Sequence, residues 1–222
     1  MSNYRVVSAG ESRSFPTADP SHAFVEAAHA SGEALVIIGG DAGQAFRQAG
    51  EPGRYAFVAI ELGTECLGAH TGESRGLEGS NVVGFARYRL GDAAPSNLIE
   101  LVRQPATPDA VAQAARAAFE AAGLIVAVCN DFPGRIVDRL IRPYFNAALR
   151  RLDEKLATAD DLDKTLCLGL GYPEGPISLL ERTGLAHHHD VSEALYQALG
   201  QEPYAPARRA QVAKQRSLRD VR

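Results

Sequence analysis

The chain is 222 residues long, 45% hydrophobic and 23% charged, proportions that exclude a disordered or fibrous polymer and allow one large domain or two small ones. Lys plus Arg number 23 against 27 Asp plus Glu; the resulting charge of −4 argues against a nucleic-acid binder. No apolar run approaches the roughly 18 residues of a membrane helix, the opening MSNYRVVSAG has no signal core, and Cys66, Cys129 and Cys167 lack zinc or disulfide spacing, so a cytoplasmic protein with reduced thiols is expected.

In chain order, Tyr4–Ser8, Ala34–Gly39, Tyr55–Leu62, Asn81–Tyr88, Asn97–Arg103 and Gly123–Asn130 read as strands. The unbroken run Ala34-Leu35-Val36-Ile37-Ile38 suits a strand covered on both faces. Helical patterns lie between some of them, over Ser21–Ala30, Asp41–Gln48 and Asp109–Ala122, the last opened by Thr107-Pro108-Asp109 as a capped first turn. Strands alternating with helices predict an α/β layer. After position 131 the strand signal stops. A helix is predicted from Asp131 to about Leu156, with Pro143 inside it. Thr158 caps a second helix over about Ala159–Gly169, and helices over Pro176–Arg182 and Ala186–Leu199 follow, the latter stopped by Gly200. Ala207–Arg222 is a last helix or a frayed basic tail.

Several residues invite a chemical reading. Ile38-Gly39-Gly40-Asp41-Ala42-Gly43 is a strand, a glycine turn and a helix start, the arrangement whose backbone N–H groups cradle a pyrophosphate, with Glu61 placed 18 residues beyond Gly43 as a ribose acid. The alternative is an ordinary tight turn capped by Asp41. Glu100 is a carboxylate in an apolar strand; it either points to solvent or holds a partner in a site. Asp138 and Arg142 are spaced for a helix-surface ion pair of a few tenths of a kcal/mol. His187, His188 and His189 cannot all face one metal and read as a partly exposed helix start. No metal site is predicted. His22, His29 and His70 show no partners in sequence. The basic tail residues Arg208, Arg209, Lys214, Arg216, Arg219 and Arg222 either attract phosphates such as those of coenzyme A or form a solvated face.

The stretch Asp131-Phe132-Pro133-Gly134-Arg135-Ile136-Val137-Asp138-Arg139-Leu140, with Arg142-Pro143-Tyr144-Phe145-Asn146-Ala147-Ala148 behind it, closely resembles the opening of the helical C-terminal domain of 3-hydroxyacyl-CoA dehydrogenases. The likeness continues through Ala157–Lys164, Leu168–Pro176 and Val191–Tyr196, and upstream through Leu98–Thr107, covering about Asn97–Gly200. The resemblance implies a Rossmann-type domain, a helical dimerisation domain and NAD-dependent oxidation of a 3-hydroxyacyl-CoA to a 3-ketoacyl-CoA. It implies a general-base histidine oriented by a glutamate, with a serine and an asparagine nearby. Glu100 matches the glutamate. Ala86 stands at the histidine position, Asp138 at the asparagine position, and Gly63-Thr64-Glu65-Cys66-Leu67 carries no serine. The first domain is also shorter than its family counterpart and lacks an N-terminal GxGxxG.

The resulting expectation is a reduced Rossmann-like α/β domain over 1–131 and an all-α dimerisation domain over 132–222. Glu100 and Asp138 are the candidate catalytic residues, and Gly39, Gly40 and Gly43 the candidate NAD-binding residues. The expected function is a 3-hydroxyacyl-CoA dehydrogenase-like protein of acyl-CoA degradation with impaired stand-alone activity. The alternative is a non-catalytic subunit that binds acyl-CoA. Its expected partner is a second copy through the helical domain or a complete dehydrogenase paralogue.

Overall fold

The structure, a computed structural model, describes residues 3–17 and 22–220, so Ser21 and Arg222 named above lie outside the described residues. Its internal contacts divide the chain into a sheet unit, running to Arg89 and again over Pro95–Ile136, and a helical unit made of Leu90–Ala94 and the chain from Val137 onward. The division falls after 136 rather than after 131 because the intervening turn bonds to the sheet unit, through Asp131, Gly134, Arg135 and Ile136.

The sheet unit holds β1 (Tyr4–Ser8), β2 (Ala34–Ile38), β3 (Val58–Glu61), β4 (Val82–Arg87), β5 (Leu98–Arg103) and β6 (Ile125–Asn130), all near their expected places. They lie side by side in chain order; β1 to β4 are parallel, β5 runs antiparallel to β4, and β6 is parallel to β5. A doubly wound sheet reverses its strand order and binds nucleotide at the reversal. This sheet has no reversal.

Every residue of β2 is buried, and its alternating side chains feed two cores. Val36 and Ile38 join Phe24, Phe85, Ile99 and Phe119 on one face, where α1 (Ala23–Glu26) and α4 (Asp109–Glu120) pack. Leu35 and Ile37 join Ala42, Ile60, Leu67 and Val102 on the other, beside α2 (Ala42–Gln48) and α3 (Gly68–Thr71). Helix α1 is far shorter than its apolar pattern suggests. His22 Nδ1 accepts the Phe24 amide at its start, and the His29 amide then donates to Tyr4 O, which draws the chain away from a helical path. Helix α4 begins where expected without the expected cap: Thr107 Oγ1 accepts from the Gln104 amide instead, and Asp109 pairs with Arg103.

The helical unit contains α5 (Val137–Asp153), α6 (Ala159–Leu170), α7 (Pro176–Thr183), α8 (Leu185–Leu199) and α9 (Arg208–Asp220). Helix α5 starts later than Asp131 because Gly134 and Arg135 both adopt positive φ, at 73° and 53°, which no right-handed helix accommodates. Pro143 lies inside α5 without ending it. The predicted caps of α6 and α8 form: Thr158 Oγ1 accepts the Asp161 amide, and Gly200 closes α8 in the left-handed conformation. The breaker cluster before α7 has a packing reason. Buried Asp163 accepts the Ile177 and Ser178 amides and the Ser178 hydroxyl, satisfying the α7 start from another helix. A Cβ at Gly175 would lie 2.2 Å from that side chain.

Candidate functional site

The β2–α2 turn was the candidate phosphate cradle, and three of its backbone donors are already engaged. Gly39 N–H donates to Glu61 Oε2 at 2.6 Å, Gly40 N–H to Glu11 O at 3.0 Å and Asp41 N–H to Ala9 O at 2.9 Å. Glu61, buried at the end of β3, also accepts from Ser12 Oγ at 2.7 Å and from Ser14 N–H at 2.8 Å. It is thus occupied within the turn. Gly43 serves packing: a Cβ there would come within 2.1 Å of the His70 ring, which pairs through Nε2 with Glu65 at 3.3 Å. Asp41 makes no side-chain cap bond. A pyrophosphate needs free amides at such a turn. As folded, Gly39 and Gly40 have no amide to offer the NAD that the resemblance implies, and Gly43 packs against His70.

Glu100, on β5, holds a partner rather than pointing to solvent. It is 1% exposed; its carboxylate accepts from Arg135 Nε at 3.2 Å and from the Ile136 amide at 2.8 Å. Arg135 also donates through Nη1 to Gly63 O at 2.6 Å. Directly across the antiparallel β4–β5 ladder from Glu100 stands Ala86. Cross-strand neighbours lie roughly 4.5–5.5 Å apart at Cβ, so the position facing the carboxylate offers a methyl group. The six histidines lie elsewhere: His22 caps α1, His29 is on the surface, His70 pairs with Glu65, and the other three are in α8.

Asp138 belongs to the helical unit, where Arg142 Nε donates to it at 2.8 Å. The expected surface pair is buried: Asp138 is 8% and Arg142 2% exposed. Arg142 is the start of a network, because its Nη1 lies 3.2 Å from His188 Nδ1. A guanidinium only donates, so Nδ1 accepts and Nε2–H of His188 donates to Asn146 Oδ1 at 3.0 Å. Asn146 Nδ2 in turn reaches Ser192 Oγ and the carbonyls of Pro203 and Tyr204. His188 is therefore not at an exposed helix start. Burial first, and then the neighbouring Arg142 charge, press its pKa down to about 3, so the ring is neutral. His187 and His189 pair with Asp92 and Asp190.

Residues 134–219 match the family model described as "3-hydroxyacyl-CoA dehydrogenase, C-terminal domain". The similarity to 3-hydroxyacyl-CoA dehydrogenases is thus to the C-terminal domain of that family. It is 33% identical over 110 residues to a probable 3-hydroxybutyryl-CoA dehydrogenase of Deinococcus radiodurans, a match covering 50% of this chain and 40% of that protein. It is 36% identical over 102 residues to the human mitochondrial hydroxyacyl-coenzyme A dehydrogenase, covering 46% and 32% of the two chains. The aligned region thus spans about two fifths or less of these relatives. The crystal structure of (S)-3-hydroxybutyryl-CoA dehydrogenase from Ralstonia eutropha shares the fold, with a TM-score of 0.68 at 22% identity, over 82% of this chain and 64% of that one. The Escherichia coli K12 3-hydroxybutyryl-CoA dehydrogenase gives the same TM-score at 21% identity over 82% of this chain and 39% of that one.

Among 3-hydroxyacyl-CoA dehydrogenase positions, the segment resembling the serine region lies beside a cavity of about 520 Å³ lined by Cys66, Glu73, Gln104, Asp131 and Phe132. Cys66 is no substitute nucleophile: burial, aided by Asp131, pushes its thiol up to about 11. Asp131 is engaged by the Leu67 and Gly68 amides, both at 2.7 Å. Among the described residues no group of three or more His, Cys, Asp or Glu is arranged to hold a metal ion, and no helix is long and apolar enough to cross a membrane. Arg208 and Arg209, candidates for coenzyme A phosphates, both pair with Asp153, and Lys214 pairs with Asp190. Sequence reasoning missed Arg135, the Ser12 and Ser14 donors and the His188 network. Only Arg135 left a signal, as a basic residue just before a helix in a strongly patterned stretch.

Proposed function

We propose that this chain is a 3-hydroxyacyl-CoA dehydrogenase-like protein of acyl-CoA degradation whose stand-alone oxidation of a 3-hydroxyacyl-CoA is impaired. The observation that carries this is the trio Ala86, Glu100 and Arg135. Oxidising a secondary alcohol to a ketone requires something to take the hydroxyl proton, and a positioned base contributes about 10²–10⁴-fold. A methyl group cannot accept a proton. The carboxylate opposite is sealed from solvent and committed to a guanidinium and an amide. Asp138 is likewise committed to Arg142. The test is acetoacetyl-CoA-dependent NADH oxidation by the purified chain, beside a complete dehydrogenase. A rate lower by ~10²-fold or more is expected from the missing base; a matching rate that Glu100→Gln abolishes overturns the reading.

A second reading, a dimeric acyl-CoA-binding or partner subunit, has its own support. The helical unit exposes Leu140, Leu156, Leu168, Leu170 and Tyr172, the leucines each by more than 60%. Exposed apolar side chains in that number support an interaction surface where they adjoin. The acyl-CoA ligand rests on the names of the relatives. The expected partner is a second copy, or else a complete dehydrogenase paralogue in a mixed dimer. Light scattering on the isolated chain and copurification from its host separate these, and a monomer that captures no dehydrogenase removes the subunit reading. Three free cysteines fit a cytoplasmic setting.

A further inference from the structure

We infer that Glu61 is a built-in anion that holds the β2–α2 turn shut, occupying for the protein itself the place a phosphate takes in a nucleotide-binding turn, so that this turn receives no dinucleotide. Three donors converge on its carboxylate: the Gly39 amide from the turn, and the Ser12 hydroxyl and Ser14 amide from the loop that follows β1. Ser12 is itself aimed, because its Oγ accepts the Phe15 amide at 2.8 Å while donating to Glu61. The set of donors, two backbone amides and one hydroxyl around a single negative group at a strand–helix turn, is the set that nucleotide folds offer to phosphate.

Backbone bonds reinforce the closure that Glu61 makes. Carbonyls of Ala9 and Glu11 take the Asp41 and Gly40 amides, so the loop after β1 lies along the turn like a neighbouring strand. Gly39 adopts φ 112°, and a Cβ there would sit 2.1 Å from Ala9 O and 2.6 Å from Gly10 O. No ligand atom fits between surfaces that close. A second negative group stands at the rim: a Cβ on Gly10 would lie 3.0 Å from Asp41 Oδ2. The unreversed strand order removes the crevice that would lead to the turn. Entry of a pyrophosphate would have to expel a buried carboxylate and leave its three donors to be matched again.

Two measurements decide it. In the wild-type chain, NADH titrated to ~1 mM, a ceiling set by ordinary cofactor affinities, is expected to leave amide exchange in Val36–Phe46 and Glu11–Phe15 unchanged. Saturable binding that slows exchange in those segments overturns the inference, whereas binding that leaves them untouched supports it. In Glu61→Ala, the melting temperature is expected to fall by roughly 5–15 °C, on a scale of about 2–4 °C per kcal/mol for this chain length. Formate or acetate, unlike chloride at equal ionic strength, should restore part of that loss. Should Glu61→Ala not fold, Glu61→Gln, which keeps the oxygen and loses the charge, carries the comparison. A variant that melts with the wild type overturns the inference. NADH contact at the turn without turnover sinks this inference alone; full turnover sinks the reading of impaired activity.

Discussion

The two units use buried polar groups in opposite ways. In the helical unit, Asp138, Arg142, Asn146, His188 and Ser192 form one chain of contacts that fastens α5 to α8 and to the 203–207 segment. In the sheet unit the buried carboxylates act separately, each closing a place where chemistry is expected: Glu61 at the glycine turn and Glu100 opposite Ala86. The family model matches residues 134–219, nearly all of them in the helical unit; of the departures that the resemblance implies, Ala86 and the Gly63–Leu67 segment lie in the sheet unit and Asp138 in the helical one.

The helical network should be the costlier to break. Arg142→Ala leaves the Asp138 carboxylate and the His188 acceptor buried without their donor, and should cost roughly 3–5 kcal/mol in urea unfolding. A loss below 1 kcal/mol would mean the network is incidental. In the sheet unit, Arg135→Leu should cost somewhat less, about 3 kcal/mol, by taking the guanidinium from a buried Glu100 that keeps the Ile136 amide. Adding Glu100→Leu to it should recover most of the loss, since two apolar groups need no partners. A double variant no better than the single one would break the comparison.

His188 gives the helical unit a pH handle. Its folded pKa of about 3 lies below the ordinary 6.5, so the unfolded chain takes up the proton first. Its contribution is therefore complete above pH 6.5 and falls away as the pH drops towards 3, by a few kcal/mol at most. His188→Gln should flatten that part of the stability profile, and an unchanged slope between pH 6 and 4 would refute the assignment. The smallest effect is local. Thr158→Ala removes one cap bond on α6 and should cost about 1 kcal/mol, read from the same unfolding curves.

What sequence by itself determined was the six strands, most of the helices and the family resemblance of the helical unit, while α3 went unpredicted and α9 was left open. The run Ala34–Ile38, the spacing of Phe145 and Leu149, the Thr158 cap and the Gly200 stop all act between residues a few positions apart, and that range is visible along a chain. The motif Gly169–Pro176 was recognisable for the same reason, though its cause, Asp163 reaching across to the α7 start, was not. Tertiary structure alone decided that the strands lie in unbroken chain order, that Glu61 meets Ser12 and Ser14, that Arg135 covers Glu100, and that His188 turns inward. Each of these joins residues 35 to 49 positions apart, apart from the strand order itself. Their meeting depends on which strands and helices become neighbours, and no local periodicity or cap carries that information.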